Sequence, residues 1–363
     1  MVHQEVQETY FKNSLIFDKQ IGKYDMKSLL GMSFAELQEL VAQHNLPKFT
    51  AKQLVEWLYL KRVKTFDEMT NLSKATRQLL SENYTTGYRD FVTVQESKDG
   101  TKKYLFPAEN GFIEAAYIPE RERATLCVSC QVGCKMNCLF CQTGKQGFQG
   151  NLSAGDIINQ ILNLPEFENL SNFVFMGMGE PMDNYDNIMR VLDIMTSEWG
   201  LAMSPTRITV STSGLIPNMK RFIQESRCNL AVSLHSPFHD ERVKIMPVEN
   251  KFPISEVIHA IRQHDWSGQR RVSFEYVVFK GFNDSQRHVN ELARQLGPLR
   301  CRVNLIRFHA VPGVDMQSPT MDDMTRFRDR LNDKGIIATV RASRGQDIDA
   351  ACGLLSTAAK KEE

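Results

Sequence analysis

From about residue 124 onward, short apolar runs alternate with amphipathic stretches. ATLCVS, NFVFMG, RITVST, NLAVSLH, RVSFEYVVF, RVNLIRF and IIATVRA read as strands, and segments such as SAGDIINQILNL and YDNIMRVLDIM read as helices between them. Strands alternating with helices imply parallel βαβ units, a sheet covered on its outer face by helices. Six or seven such units predict an open or partial α/β barrel rather than a closed eight-stranded one. In folds of this kind, chemistry sits at the carboxyl ends of the strands.

Before residue 95 the pattern is different. SFAE from Ser33, TAKQ from Thr50 and TFDE from Thr65 each have the form of a capping box and open a short amphipathic run, one carrying Leu54, Trp57, Leu58 and Leu60. The reading is an N-terminal helical accessory domain over 1–95, preceded by a polar arm and assigned to RNA binding, with capping of the barrel as the plainer role. FVTVQESKDGTKKYLF, two alternating runs around Asp99-Gly100, predicts a hairpin linker over 96–120. The barrel core is placed at 121–355 and a polar tail at 356–363. No run of apolar residues approaches membrane-spanning length. The start, MVHQEVQETYFKNSLIFDKQ, lacks the basic, apolar and small-residue order of a signal peptide. A cytoplasmic protein is expected, in which clustered thiols serve metals or catalysis rather than disulfides. A net charge of +1 restricts any nucleic-acid surface to a local patch.

Just after the first predicted barrel strand comes CVSCQVGCKMNCLFC, residues 127–141, with five of the eight cysteines. One reading pairs Cys127-x2-Cys130 with Cys138-x2-Cys141 as a structural zinc site, but only seven residues separate the pairs, against about 15–20 between zinc knuckles. The other takes Cys134, Cys138 and Cys141, spaced C-x3-C-x2-C. Three thiolates hold three irons of a [4Fe–4S] cluster, where a complete set uses four. An open iron is the arrangement of a catalytic rather than a structural metal site. Phe140 would shield such a cluster.

Polar residues also end later strands: FMGMGEP (175–181), STSG (211–214) and SLHSP (233–237). Each alone is an ordinary turn or cap. Three around one rim argue for a convergent site, with glycines allowing close approach of a ligand. Cys352, in RGQDIDAACGLL, would on composition alone be a small buried apolar residue.

The C-x3-C-x2-C spacing with an aromatic before the last Cys resembles the radical S-adenosylmethionine (SAM) superfamily. With IEAAYIPERERATLCVSCQVGC, FMGMGEP, ITVSTSG, AVSLHSP, MPV, VNLIRF and RGQDIDAACG in order, nearly the whole chain resembles the adenine-C2 RNA methyltransferases of that superfamily. The resemblance implies one [4Fe–4S] cluster on Cys134, Cys138 and Cys141, with an open iron that chelates SAM. It implies a SAM pocket lined by Gly179, Glu180, Ser211, Ser233, Leu234 and His235, with His309 where relatives often have Asn. It implies Glu114 as proton acceptor, Cys352 as methyl carrier and Cys127 as its partner thiol. Cys130 replaces the usual Ser and, with Cys228 and Cys301, is read as packing.

The family route follows from the chemistry of carbon 2, which is electron-poor and no nucleophile. One SAM methylates Cys352 and a second yields a 5′-deoxyadenosyl radical that activates the S-methyl group. Addition to carbon 2 joins protein to RNA, Glu114 takes the proton, and Cys127 attacks the Cys352 sulfur, leaving a disulfide to be reduced. The substrates so implied are 23S ribosomal RNA and transfer RNA, beside the anticodon. The partners are a flavodoxin- or ferredoxin-like electron donor and a disulfide reductant. A monomer with no membrane association is expected. Candidate phosphate contacts are Lys102, Lys103, Arg121, Arg123, Lys145, Arg270, Arg271, Arg341 and Arg344. Two rivals stand beside this reading: a carbon-8 methyltransferase, disfavoured by Pro181 in MGEP, and a non-catalytic metal-stabilised RNA-binding module, which would need neither Glu180, Cys127 nor Cys352.

Overall fold

All seven apolar runs between Ala124 and Val340 form parallel strands. The computed structural model describes residues 26–266, 268 and 270–357. The N-terminal polar arm and most of the C-terminal tail therefore lie outside the described residues. Among the described residues the main sheet has ten strands: β1 (Thr93–Glu96), β2 (Lys102–Ala108), β3 (Gly111–Pro119), β4 (Ala124–Cys127), β5 (Leu170–Phe175), β6 (Ile208–Thr212), β7 (Asn229–Ser233), β8 (Val272–Val278), β9 (Cys301–Arg307) and β10 (Ala338–Val340). Their order across the sheet is their order along the chain. β1 to β4 pair antiparallel and β4 to β10 pair parallel.

Strands buried on both faces need apolar side chains throughout rather than alternation. In β8, VSFEYVV, only Ser273 is not buried, and β7 is buried at Leu230, Ala231 and Val232. Helices on the outside supply one apolar stripe each: α5 (Ala154–Leu162), α6 (Tyr185–Thr196), α7 (Ile216–Glu225), α9 (Ile254–Arg262), α10 (Gln286–Leu296) and α11 (Met321–Asp333), with the short α8 (His239–Ile245) between β7 and α9. Ser153 caps α5 by accepting the Asp156 amide. Among the described residues no helix is long and apolar enough to cross a membrane.

The hairpin around Asp99-Gly100 forms as expected. Gly100 takes φ +82° and Thr101 N donates to Asp99 Oδ1 at 2.9 Å. It does not stand apart as a linker. β3 runs straight into the main sheet beside β4, because its centre, Ile113 to Tyr117, is buried and its Ala115 and Ala116 admit close neighbours.

The N-terminal helices are α1 (Phe34–Gln43), α2 (Thr50–Val55, continued by a π-turn over Glu56–Leu60) and α3 (Lys74–Asn83). Ser33 and Thr65 form the expected capping boxes, the latter on a single 3-10 turn. Thr50 does not. The Pro47–Phe49 turn is already helical, so Phe49 takes the cap position while Thr50 is buried as the first helical residue. This unit shares one continuous core with the barrel. Phe34 stacks on Trp199 after α6, with ring centroids 6.0 Å apart, and Arg190 pairs with Glu36 at 2.6 Å.

Candidate active site

The cysteine loop is an excursion after β4, closed at its stem by the two-residue ladder Gln131–Val132 with Gly150–Asn151 and containing the short α4 (Gln142–Gln146). Positive φ at Gly133 (+71°) and Asn137 (+49°) turns the chain twice. A Cβ at Gly133 would lie 1.6 Å from the Gly147 carbonyl oxygen, so only glycine permits the fold of the loop. Cys134, Cys138 and Cys141 lie close enough to shift one another's ionisation. Burial raises the thiols of Cys134, to about 12, and of Cys138, and each is raised further by Cys141. Met136 N lies 3.5 Å from Cys134 Sγ, an amide aimed at sulfur. Three mutually repelling thiols on a glycine-wrapped loop are a donor set suited to a cluster that deprotonates them. Among the described residues no three His, Cys, Asp or Glu side chains converge tightly enough for a single metal ion. Phe140, between the second and third thiols, stacks edge-on against His235 at 4.7 Å.

The strand-end motifs converge beside this loop. Gly179 has φ +103°, and a Cβ there would lie 2.6 Å from Gln131. Glu180 is buried, and its carboxylate accepts Ser213 N at 2.7 Å and Met182 N at 3.1 Å, tying the β5 loop to the end of β6. Burial outweighs these bonds and raises its carboxyl. Ser211 lies on β6, Ser233 ends β7 and Leu234 is fully buried. His235 sits at φ +56°. Its Nδ1 accepts Val277 N at 2.9 Å, so the proton is on Nε2. Burial, helped by Arg242, drops the imidazole to about 3 and keeps it neutral. His309 is half-buried after β9, its imidazole lowered by burial and by Arg307.

One residue behind this rim had no signal in the sequence. Arg242, on α8, is fully buried. It donates to the Leu234, Ser213 and Ser233 carbonyls at 2.9, 2.8 and 2.8 Å and pairs with Glu249. It therefore binds the ends of β6 and β7 together from below. An arginine in DERVKIMPV looks like any surface charge until the strand ends are known.

Two further thiols, Cys127 and Cys352, lie close enough at the barrel mouth to influence each other and Arg341. Cys127 ends β4, and burial pushes its thiol up to about 12 with Cys352 adding to the rise. Cys352 is solvent-accessible but ringed by protein, and burial raises its thiol also. Arg341, at the end of β10, opposes the rise at both sulfurs and pairs with Glu275 at 3.6 Å. The segment bearing Cys352 lies across the cysteine loop. Gln142 N donates to Gly353 O at 2.8 Å, Thr143 Oγ1 to Leu355 O at 2.6 Å, and Ser356 N to Glu114 Oε2 at 2.9 Å. Glu114 is buried on β3. Cys130, Cys228 and Cys301 are buried in the core.

Several proposed phosphate contacts are committed elsewhere. Arg270 donates to the Cys228, Ile223 and Phe222 carbonyls, closing the end of α7. Lys102 pairs with Glu166 at 2.9 Å, Lys103 with Glu114 at 3.0 Å, and Lys145 donates to Pro312 O at 2.5 Å. Arg121 and Arg271 are exposed, Arg123 is exposed but paired with Glu120, and Arg344 is half-buried.

A partial parallel barrel with a three-cysteine loop after its first strand, facing polar strand ends, defines a radical SAM enzyme. Residues 128–293 match the radical SAM superfamily, and residues 27–85 match the ribosomal RNA large subunit methyltransferase N-terminal domain. A probable dual-specificity RNA methyltransferase RlmN of Bacteroides thetaiotaomicron is 56% identical over 92% of this chain and 97% of its own. The dual-specificity RNA methyltransferase RlmN of Desulfotalea psychrophila is 39% identical over 92% and 95%. The crystal structure of a radical SAM methyltransferase from Sphaerobacter thermophilus superposes with a TM-score of 0.86 at 40% identity, covering 91% of this chain and 99% of that one. The chain belongs to the RlmN family of radical SAM RNA methyltransferases.

Proposed function

We propose that this enzyme methylates carbon 2 of an adenosine in 23S ribosomal RNA and of an adenosine beside the anticodon in transfer RNA, with Cys352 as the methyl carrier. The observation that carries the reading is that Cys352 lies close enough to Cys127 to raise its thiol, on a segment whose Ser356 amide donates to Glu114 Oε2 at 2.9 Å. A binding module or a direct methyl transfer from sulfonium to base has no use for that trio.

Cys134, Cys138 and Cys141 would hold the cluster, with Gly179, Glu180, Ser211, Ser233, Leu234, His235 and His309 around SAM. When bound, these two groups supply the methyl group and the 5′-deoxyadenosyl radical. The chain's own residues do the rest. Cys352, as thiolate, takes the methyl group. Its activated carbon joins adenine carbon 2, a covalent intermediate. Glu114, bonded to the carrier segment through Ser356, accepts the carbon-2 proton. Cys127 attacks the Cys352 sulfur and frees the base, leaving a disulfide. An external one-electron donor and a thiol reductant complete the cycle. The base must leave its stack, which costs on the order of a few kcal/mol and least in a loop.

Two substitutions separate bond making from bond release. Cys352→Ala should retain iron but yield no methylated RNA. Cys127→Ala should accumulate a protein–RNA adduct that survives denaturing electrophoresis and disappears with ribonuclease, while Cys130→Ala turns over normally. Normal turnover by Cys127→Ala, with no adduct, would return Cys127 to the role of a core residue.

A further inference from the structure

Lys103 was expected on the surface, among the candidate phosphate contacts. The sheet register places it inside. Lys103 on β2 pairs with Ala116 on β3, and Ala116 pairs with Cys127 on β4, so the three side chains share one row and one face. Glu114, two residues before Ala116, is on the same face and diagonal to Lys103. Diagonal neighbours in an antiparallel pair lie within reach of a long side chain. Lys103 Nζ is 3.0 Å from Glu114 Oε1, with the two side chains only 10% and 9% exposed. Ser356 N takes the other oxygen at 2.9 Å. Ala116 puts a single methyl group between this ion pair and the Cys127 thiol.

We propose that Lys103 is a positioning residue for the proton transfer, acting as the counter-ion of Glu114 and fixing one of its two oxygens. This rests on the assignment of Glu114 as the base. In the step concerned, the carbon-2 C–H bond breaks, the proton goes to a Glu114 oxygen, and the bonding pair stays in the ring of the adduct. A carboxylate has about four acceptor positions. Lys103 and Ser356 fill two and leave others for the incoming proton. Burial raises the Glu114 carboxyl and Asp349 adds to that, while Lys103 is the first influence opposing it. With Lys103 neutralised, the opposition falls to the Ser356 amide alone. The carboxyl then titrates at higher pH and is more fully protonated, and so unable to act, near neutrality.

The test compares Lys103→Met, Lys103→Arg and Glu114→Gln in cluster-loaded enzyme with an RNA substrate across pH. Formation of 5′-deoxyadenosine reports the steps before proton transfer, and C2-methyladenosine the steps after. In Lys103→Met, 5′-deoxyadenosine should form as in wild type. C2-methyladenosine should fall about tenfold at neutral pH for each unit by which the base is raised. The fall should recover as pH rises, adduct should persist meanwhile, and Lys103→Arg should rescue the profile. Superimposed Lys103→Met and wild-type profiles overturn the proposal. So does a parallel loss of both products at every pH, which marks a purely structural pair. If Lys103→Met does not take up iron, Lys103→Arg and Lys103→Gln decide it: Gln must displace the profile and Arg must not. Glu114→Gln separates the two ideas. Wild-type turnover there removes the base assignment itself, whereas arrest at the adduct, beside an unshifted Lys103→Met, removes only the role of Lys103.

Discussion

At the scale of single residues, the barrel mouth sets burial against one cation. Burial raises the thiols of both Cys127 and Cys352, and Arg341 opposes the rise at each. The thiolate is the nucleophile, so the methylation proposed for Cys352 should depend on this arginine. Arg341→Met should slow self-methylation of Cys352 several-fold at neutral pH, because the thiol then holds its proton more tightly. The gap should narrow as pH rises, read as mass gain on the Cys352 peptide with time. His235 makes a prediction about stability. The unfolded chain protonates this imidazole below about pH 6.5, while the folded chain refuses the proton until about pH 3. Stability from this group is whole above the first value and is lost downward through the window, at about 1.4 kcal/mol per pH unit. Urea midpoints between pH 6.5 and 4 should fall less steeply in His235→Asn than in wild type. The cysteine loop was legible as a candidate site because five of the eight thiols fall within fifteen residues. Lys103 and Arg242 were not: a charged residue carries no mark of burial in sequence, and only strand register brings it to its partner.

At the scale of elements, the strands were legible because seven β-branched and aromatic runs alternate with amphipathic stretches, and the central β7 and β8 are apolar on both faces. The turn at Asp99-Gly100 was legible for its left-handed glycine. Thr50 misled because a capping pattern specifies a hydroxyl and a spacing, not which residue the preceding turn makes first in the helix. The segment bearing Cys352 had no periodicity to read. It is irregular chain, placed by single bonds to other elements. Asp99 Oδ2 accepts Gly345 N at 2.9 Å from the hairpin, and Gly353 lies against the cysteine loop at φ +84°. A Cβ on Gly353 would lie 2.7 Å from the Phe140 carbonyl oxygen. Gly353→Ala should therefore lift Cys352 off the loop without touching the cluster thiols. Iron content should hold, while Cys352 methylation and RNA turnover fall together.

At the scale of the whole molecule, the N-terminal helices and the barrel meet through glycines. Gly31, at φ +90°, lies so close to α5 that a Cβ would come within 2.3 Å of Gly155 N. Its amide donates to the Tyr59 hydroxyl at 3.1 Å, and that hydroxyl donates to Met32 O at 2.7 Å. Gly31→Ala should cost about 2–3 kcal/mol through overpacking and left-handed strain. Because the core is continuous, the loss should appear as one shifted thermal transition rather than as early melting of the helical unit. The strand order has a consequence in time. Every ladder in the sheet joins strands that follow one another in the chain, so each pairs with a neighbour already synthesised, and the sheet can grow as the polypeptide leaves the ribosome. The cysteine loop and the polar ends of β5, β6 and β7 emerge early, whereas Cys352 follows the last strand. A nascent chain can thus assemble its cysteine loop and strand-end rim before it owns the thiol proposed to carry a methyl group to RNA.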